Sequence, residues 1–226
     1  MFATHLPPLA GALFSLLVIV SLLLSFVMLG SRWLNAYLRA FALQSWLIAV
    51  LSAAVAYYGG YPELYGIAVL TALFRGLVLP YLLLRITRRM SVDRELTGRL
   101  SPSASLVVGG LLVVFAFVVA NHLSTPLGIG GTLAVLALTA MLSMKLLGFL
   151  MLVVRREVVS QILALLVIEN GIFLGSQILV PGMPLLIELV ILFDLLVVVA
   201  CFGVLARYLI IHAGTTNSRE LRRLVG

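Results

Sequence analysis

From Leu9 to Gly30 the chain reads "LAGALFSLLVIVSLLLSFVMLG", without one charged residue. About 20 apolar residues in a row are enough to cross the hydrocarbon layer of a bilayer as a helix. Runs of this kind recur along the chain, divided by short charged or Pro/Gly-containing connections. Hydropathy and this punctuation predict seven spans, near residues 9–30, 40–58, 66–84, 104–121, 131–154, 158–180 and 185–206. A backbone amide finds no water in lipid, so a spanning chain is either helical or closed into a barrel. Barrel strands would be short and alternating, whereas these runs are continuous. The expected fold is all-α and polytopic, one membrane domain over residues 1–226. With 63% of residues hydrophobic and only 10% charged, there is too little polar surface to cover a soluble domain of this size. The first run has no basic leader, so it reads as a retained span and not a cleaved signal.

A formal charge of +7 would suit a nucleic-acid-binding protein, but the positions of the basic residues point to membrane topology instead. Arg32 and Arg39 lie in the first connection, and Arg85, Arg88, Arg89, Arg94 and Arg99 in the third. Arg155 and Arg156 follow the fifth span, and Arg207, Arg219, Arg222 and Arg223 occupy the tail. The N-terminus and the second, fourth and sixth connections hold none. Positive residues collect on the cytoplasmic side, so the N-terminus is expected outside and the C-terminus inside. No nucleic-acid partner is expected.

The other candidate chemistries are thin. Cys201 is the single cysteine, which excludes an intramolecular disulfide and a cysteine-based metal cluster. His5, His122 and His212 lie near span ends without ligand spacing. No HExxH, GxSxG or P-loop pattern is present. Lys145 in a seven-span chain raises the thought of a retinal Schiff base, but that lysine belongs in the last span, which here has none. No cofactor is expected.

Two bases remain inside spans, Arg75 and Lys145, and three acids, Glu169, Glu188 and Asp194. Arg75, Lys145, Glu169 and Asp194 lie roughly 13–18 Å from a span end, near the bilayer centre. Glu188 is shallower, toward the outer end of the seventh span. A charge at mid-membrane costs about 2.5–3.5 kcal/mol on insertion scales. Such residues therefore face one another, a partner subunit or water, which suggests a polar axis through the membrane interior. Static ion pairs are the plain alternative, yet buried ion pairs stabilise poorly compared with apolar packing. Proton relays are a common use of carboxylates at this depth. In the sixth span, Gly171 and Gly175 form a GxxxG pair suited to close helix packing. Glu169 lies about 200° around the helix from Gly171, away from that face and on the same side as Ser176.

The segment "VVSQILALLVIENGIFLGSQIL", followed by "LLIELVILFDLLVVVACFGVLARYLIIH", resembles component E of the hydrogenase-4 and formate-hydrogenlyase type membrane complexes. The last three spans are similar to subunit K of respiratory complex I and to the matching small subunit of Mrp-type cation/proton antiporters. In this family four further spans precede that core, with a base five positions before a proline, as in Arg75 and Pro80 of "FRGLVLP". The resemblance covers nearly the whole chain and implies a four-helix part over 9–121 and a three-helix core with a short cytoplasmic tail over 131–226. It implies that Glu169 stands where subunit K has its first membrane glutamate. Asp194 takes the place of the second carboxylate, one methylene shorter than the usual Glu, and Glu188 matches the acid before it. The role of Lys145 rests on its depth alone.

The function implied is that of a proton-translocating and structural subunit of a complex-I-like respiratory assembly, itself without a redox centre. The implied partners are antiporter-like membrane subunits, an H-type membrane subunit like that of complex I, and a peripheral hydrogenase or other electron-transfer arm. The implied location is the inner (cytoplasmic) membrane of a bacterium or archaeon. Glu169, Asp194, Lys145, Arg75 and Glu188 would line the proton pathway. A pure scaffold subunit of the same complex is the first alternative. An autonomous secondary transporter is the second, disfavoured because no repeated or Gly/Pro-broken span pairs are visible.

Overall fold

The computed structural model of the protein describes residues 7–89, 100–128, 130–156, 158–180 and 203. These residues are mainly helical, with no β-strand element among them. The helices are α1 (Pro8–Gly30), α2 (Leu34–Gly59), α3 (Glu63–Leu70), α4 (Leu79–Arg89), α5 (Pro102–Ser124), α6 (Thr132–Val154) and α7 (Val158–Leu179). A π-helical segment, Thr71–Val78, joins α3 to α4, so that the three form one continuous rod. Six of the resulting helices among the described residues are long and apolar enough to cross a membrane. The protein is a helical membrane protein. The seventh predicted span, 185–206, lies outside the described residues apart from Gly203.

Two boundaries differ from the sequence reading. The second span begins at Leu34 and not near residue 40. Leu34, Tyr37 and Leu38 fall on one face and are buried, which carries the helix back through Arg39 on its exposed side. The third span runs to Arg89, with Arg85 on its exposed surface. Arg39 and Arg85 thus sit on helix ends and not in loops.

Local chemistry sets several ends. The Ser101 side chain accepts a hydrogen bond from the Ala104 amide at 3.2 Å, and Pro102 follows at the first helical position of α5. Gly60 closes α2 at φ +71°, a left-handed conformation that side chains resist. At the end of α6, the buried Arg155 reaches across to α1. Its Nη2 donates to the carbonyls of Met28, Leu29 and Ser31 at 3.2, 2.9 and 2.7 Å. A cation there satisfies carbonyls that the end of a helix leaves without partners, and complements its dipole. The Leu106 side chain of α5 lies 3.4 Å from where a Cβ on Gly30 would stand. The first connection, the start of α5 and the α6–α7 connection therefore share one end of the bundle.

The most extensive helix contact is α6 with α7, and α6 also packs on α5 and α1. Helix α2 meets α1, α3, the π segment and α7. Helix α5 is peripheral. Its buried positions are the small residues Ser105, Gly109, Ala116, Ala120 and Ser124, while Leu106, Leu111, Phe115 and Val118 are exposed. Small residues let helices approach closely where lipid supplies no hydrophobic drive.

Candidate functional site

The π-helical segment carries the most deeply buried charge described. Arg75 is fully buried, roughly 18 Å along the helix from Glu63. A π turn pairs each N–H with the carbonyl five residues back, as Leu79 does with Phe74. The next such bond would need an N–H from Pro80, which has none, so the π register gives way to α4 there. Beside Arg75, Gly76 leaves room for an indole. A Cβ on it would stand 2.9 Å from Nε1 of Trp46 on α2.

The guanidinium is held from α7. Nη1 of Arg75 donates to Oδ1 of Asn170 at 3.0 Å. Its Cζ lies 4.9 Å from the ring centroid of Phe173, a cation–π contact one helical turn further on. Nδ2 of Asn170 donates to Oε1 of Gln44 at 3.0 Å and to Oγ of Ser45 at 3.2 Å. Nε2 of Gln44 donates to the Ser21 carbonyl at 2.8 Å and to Oγ of Ser25 at 2.9 Å. Arg75, Asn170, Gln44, Ser45, Ser25 and Ser21 are all buried. About two helical turns further along α7, the buried Gln177 donates to Oγ of Ser52 at 2.6 Å. Four segments, α1, α2, the π turn and α7, thus meet on a polar cluster inside an apolar bundle.

The other sequence-predicted residues separate into groups. Glu169 is half-buried on α7 and Lys145 half-buried on α6, and neither joins the chain of hydrogen bonds from Arg75 to Ser21. The half-buried positions of α7, Gln161, Leu165, Glu169, Ile172, Ser176 and Leu179, recur every three or four residues as one stripe. Every other side chain from Ser160 to Ile178 is buried. Gly171 and Gly175 lie against α6, where a Cβ on either would stand 2.7 Å from Cβ of Met144 or Met141 respectively. The Lys145 backbone nitrogen is 3.6 Å from the same point at Gly171, so Lys145 and Glu169 occupy neighbouring depths. Glu188 and Asp194 lie outside the described residues. Among the described residues, no cluster of three or more His, Cys, Asp or Glu could hold a metal ion.

No protein-family model matches the chain, and no solved structure does. Over 160 residues, 70% of each chain, it is 31% identical to the uncharacterized protein Rv0085 of Mycobacterium tuberculosis. The chain belongs to the family of Rv0085. That name assigns no activity, so the function of this Rv0085-family chain has to be argued from its site.

In this member of the Rv0085 family, sequence reasoning missed Asn170, Gln44 and Ser45. The sequence reading followed formal charge, which amides lack, and the carboxylate of Glu169 beside Asn170 drew attention away from it. The available signal was the pair of mid-span amides, Gln44 near the middle of α2 and Asn170 near the middle of α7. Each must find a hydrogen-bond partner when buried.

Proposed function

We propose that this chain is a proton-translocating and structural membrane subunit of a complex-I-like respiratory assembly, of the hydrogenase-4 component E type. What carries the reading is the hydrogen bond between Arg75 of "FRGLVLP" and Asn170 of "IENG". Both stretches belong to the resemblance, and they meet at a buried charge in mid-bundle. A permanent cation at that depth attracts the negative form of any nearby carboxylate, and so favours a proton leaving it. In this reading Arg75 and Lys145 balance the charge of Glu169 and Asp194, which carry the proton, and Glu188 stands near the outer mouth. The chain crosses the inner membrane of a bacterium or archaeon seven times, N-terminus out and C-terminus in, and 131–226 forms the subunit-K-like core. Its partners are antiporter-like subunits, an H-type membrane subunit like that of complex I, and an electron-transfer arm that holds the redox centres.

The test is Glu169→Gln, which keeps size and hydrogen bonding but removes the titratable proton. Purified complex should retain its subunit stoichiometry and lose most proton uptake into vesicles, while Glu169→Asp keeps a measurable fraction. Asp194→Asn should behave as Glu169→Gln does. Normal uptake by an intact Glu169→Gln complex would leave the glutamate a structural partner, and failed assembly would favour a scaffold.

A further inference from the structure

The hydrogen bonds that leave Arg75 toward α1 and α2 all run in one direction. The guanidinium donates to Asn170, Asn170 to Gln44 and Ser45, and Gln44 to Ser25 and the Ser21 carbonyl. Ser25 then donates to the same carbonyl at 3.3 Å. The two ends impose this polarity. A guanidinium only donates and a carbonyl only accepts, so Asn170 must turn its oxygen to Arg75 and Gln44 its nitrogen to Ser21. Each amide therefore presents its negative end toward the cation. In a low-dielectric interior such aligned bonds strengthen one another.

Beyond Arg75, the described residues of this hydrogen-bond chain contribute only amides, hydroxyls and a backbone carbonyl, and a carboxamide neither gains nor loses a proton near neutral pH. The chain can hold a charge in place but cannot pass a proton along itself. We infer that Gln44 and Asn170 are positioning residues for Arg75, a polarised amide chain that fixes the angle of its guanidinium and confines proton traffic to the opposite side. The structural half of this inference stands on the hydrogen bonds, and only its consequence for pumping rests on the proposed function.

The test uses the full chain in lipid, labelled with guanidino-15N arginine, with Arg75→Lys identifying the Arg75 signals. In the wild type, the Arg75 Nη resonances should be resolved and slow to exchange with deuterium. Asn170→Leu and Gln44→Met keep the side-chain volume and remove the hydrogen bonds. Either should accelerate exchange by roughly tenfold to a hundredfold, the effect of losing a charge-assisted hydrogen bond. Asn170→Asp retains an acceptor for Arg75 and should keep most of the protection. In vesicles containing the assembled complex, Asn170→Leu and Gln44→Met should keep subunit content and lose most proton uptake. Unchanged Arg75 exchange in both variants would overturn the inference, whatever the pumping. Faster exchange with normal pumping would uphold the positioning role and overturn the part given to Arg75 in translocation.

Discussion

Nη1 of Arg75 lies 3.0 Å from Oδ1 of Asn170, both side chains fully buried and 95 residues apart in sequence. The bond ties the π turn of the third span to the middle of α7, and through Gln44 to α1 and α2. It replaces part of the hydration a guanidinium loses in the bilayer interior. Asn170 itself is an uncharged amide, so this particular bond positions the guanidinium without neutralising it.

Removing the cation should strand the Asn170 oxygen. Arg75→Ala should lower the stability of the full chain by about 1–3 kcal/mol, the cost of an unsatisfied buried acceptor. Arg75→Lys keeps a charge and a donor and should fall between the two, with the same order in proton uptake by the assembled complex. Thermal unfolding in detergent measures the first effect. Wild-type stability in Arg75→Ala would contradict the network.

Gly76 should tolerate no side chain without moving Trp46. A Cβ there would stand 2.9 Å from Nε1 and 3.1 Å from Cδ1 of the indole. The ring is 43% exposed, so it has room to tilt outward. Gly76→Ala should cost about 1–3 kcal/mol, the usual range for overpacking. In a Trp33→Phe background Trp46 is the sole tryptophan, and its emission should shift. An unchanged spectrum would mean that the two helices do not approach this closely.

Gly171 and Gly175 should differ sharply from Gly110. Alanine at 171 or 175 sets β-carbon against β-carbon across α6 and α7, and neither can swing aside. Each should cost about 1–3 kcal/mol. Nothing lies within 4 Å of the Gly110 position, so Gly110→Ala should be neutral or stabilise α5 by about 0.5–1 kcal/mol. Equal melting temperatures for the three variants would refute the close α6–α7 packing.

The proposed topology is tested by accessibility. In a Cys201→Ser background, cysteine at Ser91 or Thr215 should resist an impermeant thiol reagent in intact cells, while one at the exposed Thr125 should react. Labelling at 91 and 215 with protection at 125 would reverse the orientation.

Much of the architecture was legible from residue order, because a bilayer leaves few options. Long apolar runs must be helices, and the residues between them mark where they end. Charge in so apolar a chain likewise singled out Arg75, Lys145 and Glu169 as positions that need a reason. Which of them is buried was decided only by packing, since a hydropathy scale assigns a residue no direction. Helix α7 turns Asn170, Phe173 and Gln177 inward, and leaves Glu169 in the half-buried stripe with Ile172 and Ser176. The π register was equally beyond the sequence reading. It is seen in a backbone bond from Leu79 to Phe74, in a segment whose Gly76 has Trp46 of another helix lying against it. Run length and charge are local properties, whereas the partner of a buried polar atom comes from a segment a hundred residues away, and only the folded bundle brings the two together.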